Sequence, residues 1–110
     1  MKIKRTLANQ IMSRAIRNHE TCLLCLLSGR DKLNCPDDCA EIPALLEADP
    51  QAVLVYNQNA DSLQLKERIA WRDGQQTIEV FQDTEGVFGL RAWRLDGKLQ
   101  VPVTLEYLDE

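Results

Sequence analysis

The order of hydrophobic patterns along this 110-residue chain predicts an α+β fold: a helix, a strand, a second short helix, another strand, then mostly strands. Two further observations bound that reading. A 45% hydrophobic, 27% charged composition at this length suits one domain with one core, residues 1–110, and argues against a multidomain enzyme. The longest apolar run, Cys22 to Leu27, is far too short to cross a bilayer, so neither a membrane span nor a membrane partner is expected.

The elements follow in order. From Thr6 to about His19, Leu7, Ile11, Ala15 and Ile16 recur at the spacing of an amphipathic helix, with Thr6 as its expected N-cap. Thr21 to Ser28 is a largely apolar run closed by Gly29, which suits a strand buried on both faces. Residues 31–39 are rich in turn formers (Asn34, Pro36, Asp37, Asp38). Ala40 to Ala48 has the spacing of a short helix, with Pro43 in its first turn and Asp49-Pro50 as its stop. Ala52 to Tyr56 is a second apolar strand, followed by an expected loop over 57–61.

Residues 62–71 fit two patterns. Ser62 can cap a helix running to Trp71, yet Leu63, Leu65, Ile69 and Trp71 also alternate with polar residues, and Asp73-Gly74 can then turn a hairpin into a strand over 77–81. The helix fits slightly better. The chain closes with two strand patterns, Val87 to Leu95 and Leu99 to Leu108, joined at Asp96-Gly97, a dipeptide that favours a tight hairpin turn.

Charge is unevenly spread. Residues 1–30 carry +5 and the remainder −9, giving the net −4. A basic opening helix can touch nucleic acid or an acidic partner. With a pI near 5 and no interleaved aromatics, a solvated helix face explains it better, and nucleic acid is not the expected ligand. The basic start Met1-Lys-Ile-Lys-Arg has no apolar signal core behind it, so a cytoplasmic protein is expected.

Three segments resemble the JAMM/MPN domain family, in particular its stand-alone bacterial members. The clearest is Gly89-Leu-Arg-Ala-Trp-Arg-Leu-Asp-Gly97 followed by Val101-Pro-Val-Thr-Leu-Glu106, which is similar to the family's closing hairpin. The opening helix leading into Cys22-Leu-Leu-Cys-Leu-Leu-Ser-Gly-Arg30 resembles the first helix and its Gly-ended strand, and Ala52 to Tyr56 resembles the strand that delivers the metal site. The resemblance implies a mixed β-sheet with an N-terminal helix and a second short helix packed on it. It also implies zinc isopeptidases and proteases of ubiquitin-like or sulfur-carrier proteins as relatives.

Active members follow that strand with His-x-His and then Ser-x-x-Asp, because a hydrolytic zinc needs three protein ligands and an open position for water. Here the corresponding residues are Asn57-Gln58-Asn59, and an amide has no imidazole nitrogen to offer. Ser62-Leu-Gln-Leu65 is the nearest match downstream, with Leu65 at the aspartate position. The catalytic glutamate position falls on Cys22, with Glu20 reachable only through a gap. The sole histidine, His19, cannot rebuild a two-histidine site.

On the resemblance, then, the chain is a metal-free, non-hydrolytic member whose vestigial metal site is marked by Asn57, Asn59, Ser62 and Leu65. No cofactor is expected. Its expected role is a protein-binding or assembly module for a ubiquitin-like or sulfur-carrier protein or an active homologue, with a homodimer through edge strands left open. A plainer account of Asn57 and Asn59 is that they supply turn geometry after a strand.

The four cysteines leave two alternatives. Cys22, Cys25, Cys35 and Cys39 form Cys-x-x-Cys and Cys-x-x-x-Cys, and four thiolates can hold a structural zinc in a small regulatory module. Against this, residues three apart on a strand face opposite sides, which leaves Cys22 and Cys25 as small core hydrophobes. A thiol-based redox protein is the other alternative, with Cys35 and Cys39 the expected sites of oxidation or disulfide formation. Trp93 is expected to pack on the core while the heads of Arg91, on its face, and Arg94 reach water or a partner. No Gly-rich phosphate loop, catalytic carboxylate pair or serine-histidine arrangement stands out.

Overall fold

Order along the chain decides which faces of the sheet are covered. The computed structural model describes residues 1–17, 24–28, 32–36, 41–57, 74–97 and 99–109. Their elements run β1 (Lys2–Lys4), α1 (Arg5–Arg17), β2 (Leu24–Ser28), β3 (Lys32–Asn34), α2 (Ile42–Ala48), β4 (Val53–Asn57), β5 (Gln76–Gln82), β6 (Phe88–Asp96), β7 (Leu99–Val103) and β8 (Glu106–Leu108). The α+β expectation holds. The main sheet has the order β3-β2-β4-β5-β6-β7, and β1 pairs with β8 beside it.

Within the six-stranded sheet only β4 and β5 are parallel, with Tyr56 beside Glu79 and Asn57 beside Val80. All other neighbours are antiparallel. A parallel pair needs a long crossover, which residues 58–75 supply. Gln75 ties the two strand starts together: its buried amide donates to the carbonyls of Ala52 (2.9 Å) and Gln76 (3.0 Å).

Two apolar clusters, one on each face, hold the sheet. Leu7, Ala8, Ile11 and Ala15 of α1 pack with Cys25, Leu27, Val53, Val55, Ile78 and Val80. On the other face Ile42 and Leu46 of α2 pack with Leu26, Leu54 and Tyr56. Cys25, Leu26 and Leu27 are therefore all buried, as a strand covered on both sides requires. Burying a side chain such as Leu54 or Ile78 contributes about 1.5–3 kcal/mol, so these central strands carry the fold.

Several boundaries differ from the expectation, each for a physical reason. α1 begins at Arg5, directly after β1, so Thr6 lies within the first turn instead of capping it. Lys2–Lys4 forms a strand because β8 supplies a parallel partner, with Glu106 N–H donating to the Met1 carbonyl at 2.8 Å. The turn-rich stretch 31–39 contains the edge strand β3, which has only Leu33 as an apolar side chain to bury. The last strand pattern breaks after Val103, and β8 turns away to join β1.

The closing hairpin forms as expected, but Asp96 pairs with Leu99, so the two-residue loop is 97–98, with Gly97 at φ +61°. β7 is the far edge of the sheet. Pro102 sits in its middle opposite Trp93, which places its missing N–H on the outer side and blunts that edge. Residues 62–71 lie outside the described residues, as do the ends of the first expected helix and strand.

Candidate functional site

Alternation along β4 divides the candidate residues between the two faces. Val53, Val55 and Asn57 point to the α1 side, while Leu54 and Tyr56 point to the α2 side. Asn57 is the last residue of β4 and only 2% exposed. That corrects the expectation of a loop beginning at Asn57 and of a turn residue there: pairing with Val80 of β5 extends the strand by one residue, and Asn57 is buried.

Register places the two strands that the resemblance singles out side by side. β2 and β4 are antiparallel, with Leu24 opposite Tyr56 and Cys25 opposite Val55. The start of β2 and the end of β4 therefore meet at one end of the sheet, between interior strands. Cys22 precedes Leu24 by two residues and Asn59 follows Asn57 by two. Cys22, Asn59, Ser62 and Leu65 themselves lie outside the described residues, so the structure positions only Asn57 of the four residues that the resemblance assigns to a vestigial site.

The residues that the resemblance aligns with the zinc ligands do not fit a hydrolytic zinc. Asn57 offers a neutral amide, which prefers hard oxygen-seeking cations to zinc, and the chain's single histidine leaves no imidazole for the second position.

Cys25 and Cys35 form a disulfide, with Cα atoms 4.2 Å apart. Cys35 is one of the two expected sites of disulfide formation; its partner is Cys25, expected as a core hydrophobe, because the β2–β3 register sets 25 opposite 35, one step beyond the Leu26–Asn34 pair. In this bonded state neither sulfur is a thiolate. A site built on Cys22, Cys25, Cys35 and Cys39 would require the bond to be reduced first. Cys22 and Cys39 lie outside the described residues.

A second constellation, on the opposite face, was not anticipated. Tyr56, Glu79 and Arg91 form one row across β4, β5 and β6. The Tyr56 hydroxyl donates to Glu79 Oε2 at 3.4 Å, and Arg91 Nη2 lies 2.7 Å from Glu79 Oε1. Burial, and then the Glu79 charge, push the Tyr56 phenol up to about 12. Arg91 also stacks on Phe81, 4.2 Å from the ring centroid. In the neighbouring row Thr77 lies opposite Trp93, whose buried Nε1 has no hydrogen-bond partner among the described residues. Only the alternation of Thr77, Glu79 and Phe81 with Ile78 and Val80 signals this set in the sequence, and that pattern reads as a solvated face until the strand order is known.

Arg91 reaches water as expected, its side chain 50% exposed, while Glu79 and Phe81 hold it in place; Trp93 is half-buried beside it. Beyond Trp93, an open groove of about 300 Å³ runs along β6, β7 and β8, walled by Trp93, Pro102, Val103 and Tyr107. Its one charged side chain is Arg91, so the groove offers contact surface more than reaction chemistry. Of the basic N-terminal residues, Lys2 and Lys4 lie on β1 and Arg5, Arg14 and Arg17 are exposed on α1, the last two in its final turn, where cations suit the carbonyl end of a helix.

Compared with protein-family models, with curated proteins and with solved structures, the chain matches none.

Proposed function

We propose that this chain is a non-catalytic MPN-like domain that binds a protein partner without hydrolysing it. The partner on this reading is a ubiquitin-like or sulfur-carrier protein, or an active homologue of the chain itself. Asn57 carries the argument. It is buried at the end of β4, where the resemblance puts the first zinc histidine, at the end of the sheet where β2 begins. A strand end that keeps its place in the sheet but offers an amide suits recognition better than metal-assisted hydrolysis.

Further support comes from order along the chain. A helix, a strand running beside β4, a short helix and a closing hairpin follow one another as the resemblance implies. The domain acts in the cytoplasm on this reading. A protein partner accounts for the surface better than nucleic acid does, because the net charge is −4 and the arginines sit on a short helix face.

Equilibrium dialysis of the oxidised protein against zinc tests the reading. The expected result is no stoichiometric zinc. About one zinc per chain, lost in Asn57→Ala, would overturn it.

A further inference from the structure

We propose that the Cys25–Cys35 disulfide is a redox switch: oxidised, it holds the outer strand β3 on the sheet; reduced, it releases β3 while β2 stays paired with β4.

The two sides of β2 are held unequally. Towards β4, four register pairs run from Leu24–Tyr56 to Leu27–Val53, between strands buried on both faces. Towards β3 there are three pairs, and Lys32 and Asn34 of that strand are exposed. Leu33 is half-buried and makes the only apolar side-chain contact within β3. A strand this short at a sheet edge is marginal without help, and the disulfide supplies a covalent tie beside it.

The two cysteines are also unequally buried. Cys25 is fully buried in the α1-side cluster, whereas Cys35 is half-buried just past the end of β3. Reduction by a dithiol therefore starts at Cys35. A thiolate of the reductant attacks Cys35 Sγ, the S–S bond breaks, and Cys25 leaves as a thiolate that takes up a proton. The reductant's second thiol then attacks the mixed disulfide, freeing Cys35 as a thiol and leaving the reductant as its own disulfide. Two electrons and two protons pass to the protein.

Backbone geometry makes this testable residue by residue. The 4.2 Å Cα separation marks Cys25–Cys35 as a non-hydrogen-bonded antiparallel pair. By alternation, the N–H groups of Leu26 and Ser28 point to β3 and those of Cys25 and Leu27 point to β4.

The experiment is amide hydrogen exchange by NMR on the whole chain, oxidised and after dithiothreitol, with mass spectrometry confirming that both thiols are free. Reduction is expected to speed exchange at Leu26 and Ser28 by about tenfold or more and to leave Cys25 and Leu27 protected. The Cys35→Ser variant is expected to show the same pattern without reductant. Unchanged exchange at Leu26 and Ser28 after full reduction would overturn the proposal. So would loss of protection at all four amides, which would make the bond a staple of the whole fold, or free thiols at Cys25 and Cys35 in protein handled without reductant.

Discussion

Tyr56 and Glu79 stand side by side on the parallel strands β4 and β5, the phenol donating to the carboxylate at 3.4 Å. Burial disfavours the ionised phenol, and ionising it would also put a second negative charge beside Glu79, which is why its pKa rises from the ordinary 10 to about 12. A raised pKa in the folded state means that folding favours the protonated phenol. Its contribution to stability is full below about pH 10 and is lost as pH rises through about 12. In a Tyr107→Phe background, where Tyr56 is the only tyrosine, absorbance titration is expected to show phenolate appearing near pH 12. Glu79→Gln is expected to lower that midpoint without restoring 10, because burial is the larger cause. A wild-type midpoint at 10 would contradict the packing described.

Gly89 faces Phe81 across the β5–β6 pair, and a Cβ built there would lie 2.8 Å from Phe81 Cζ. Gly89→Ala is expected to displace the ring, weaken the Arg91 stack and cost about 1–3 kcal/mol in chemical denaturation. In a Phe81→Ala background the same substitution is expected to be neutral or stabilising, since alanine restricts the unfolded chain more than glycine does. Equal costs in both backgrounds would sink the explanation.

The β5–β6 hairpin turns on Asp83, whose Oδ1 accepts from the N–H groups of Glu85 and Val87, both at 2.9 Å. Asp83→Ala is expected to cost about 1 kcal/mol, and Asp83→Asn much less, because the amide oxygen can still accept. Urea unfolding of the two variants distinguishes them.

Core and edge should respond very differently. Leu54 is fully buried between β2 and β5, whereas Leu99 at the start of β7 is 71% exposed. Leu54→Ala is expected to cost about 2–5 kcal/mol. Leu99→Ala should stay within about 0.5 kcal/mol. Comparable losses in thermal unfolding would mean that β7 is covered in solution.

What the sequence made legible was local pattern. The helical spacing of Leu7, Ile11 and Ala15, the apolar run into Ser28, the short helix with Pro43 and the strand ending in Tyr56 all appear close to where they were expected. Long-range pairing was not legible. Lys2–Lys4 and Lys32–Asn34 are too short and polar to signal strands, and they exist because β8 and β2 offer partners. The Cys25–Cys35 bond follows from the β2–β3 register, which Cys spacing alone does not reveal. The Tyr56–Glu79–Arg91 row likewise depends on which strands lie side by side.

If the end of β4 is a vestigial metal site, the missing ligands can be put back. The triple variant Asn57→His, Asn59→His, Leu65→Asp restores the three donors that the resemblance implies, and it is expected to bind about one zinc per chain where the wild type binds none. Equilibrium dialysis with metal analysis reads this directly. A triple variant that folds but takes up no zinc would count against the alignment of these positions with a metal site.

Recognition without hydrolysis is the central claim, and native mass spectrometry tests it most directly. The oxidised chain is mixed with zinc and a sulfur-carrier protein bearing a short C-terminal extension, and the masses are followed over time. The expected result is a complex at the summed mass of the two intact proteins, with the extension still attached. Release of the extension by the wild-type chain would contradict the account.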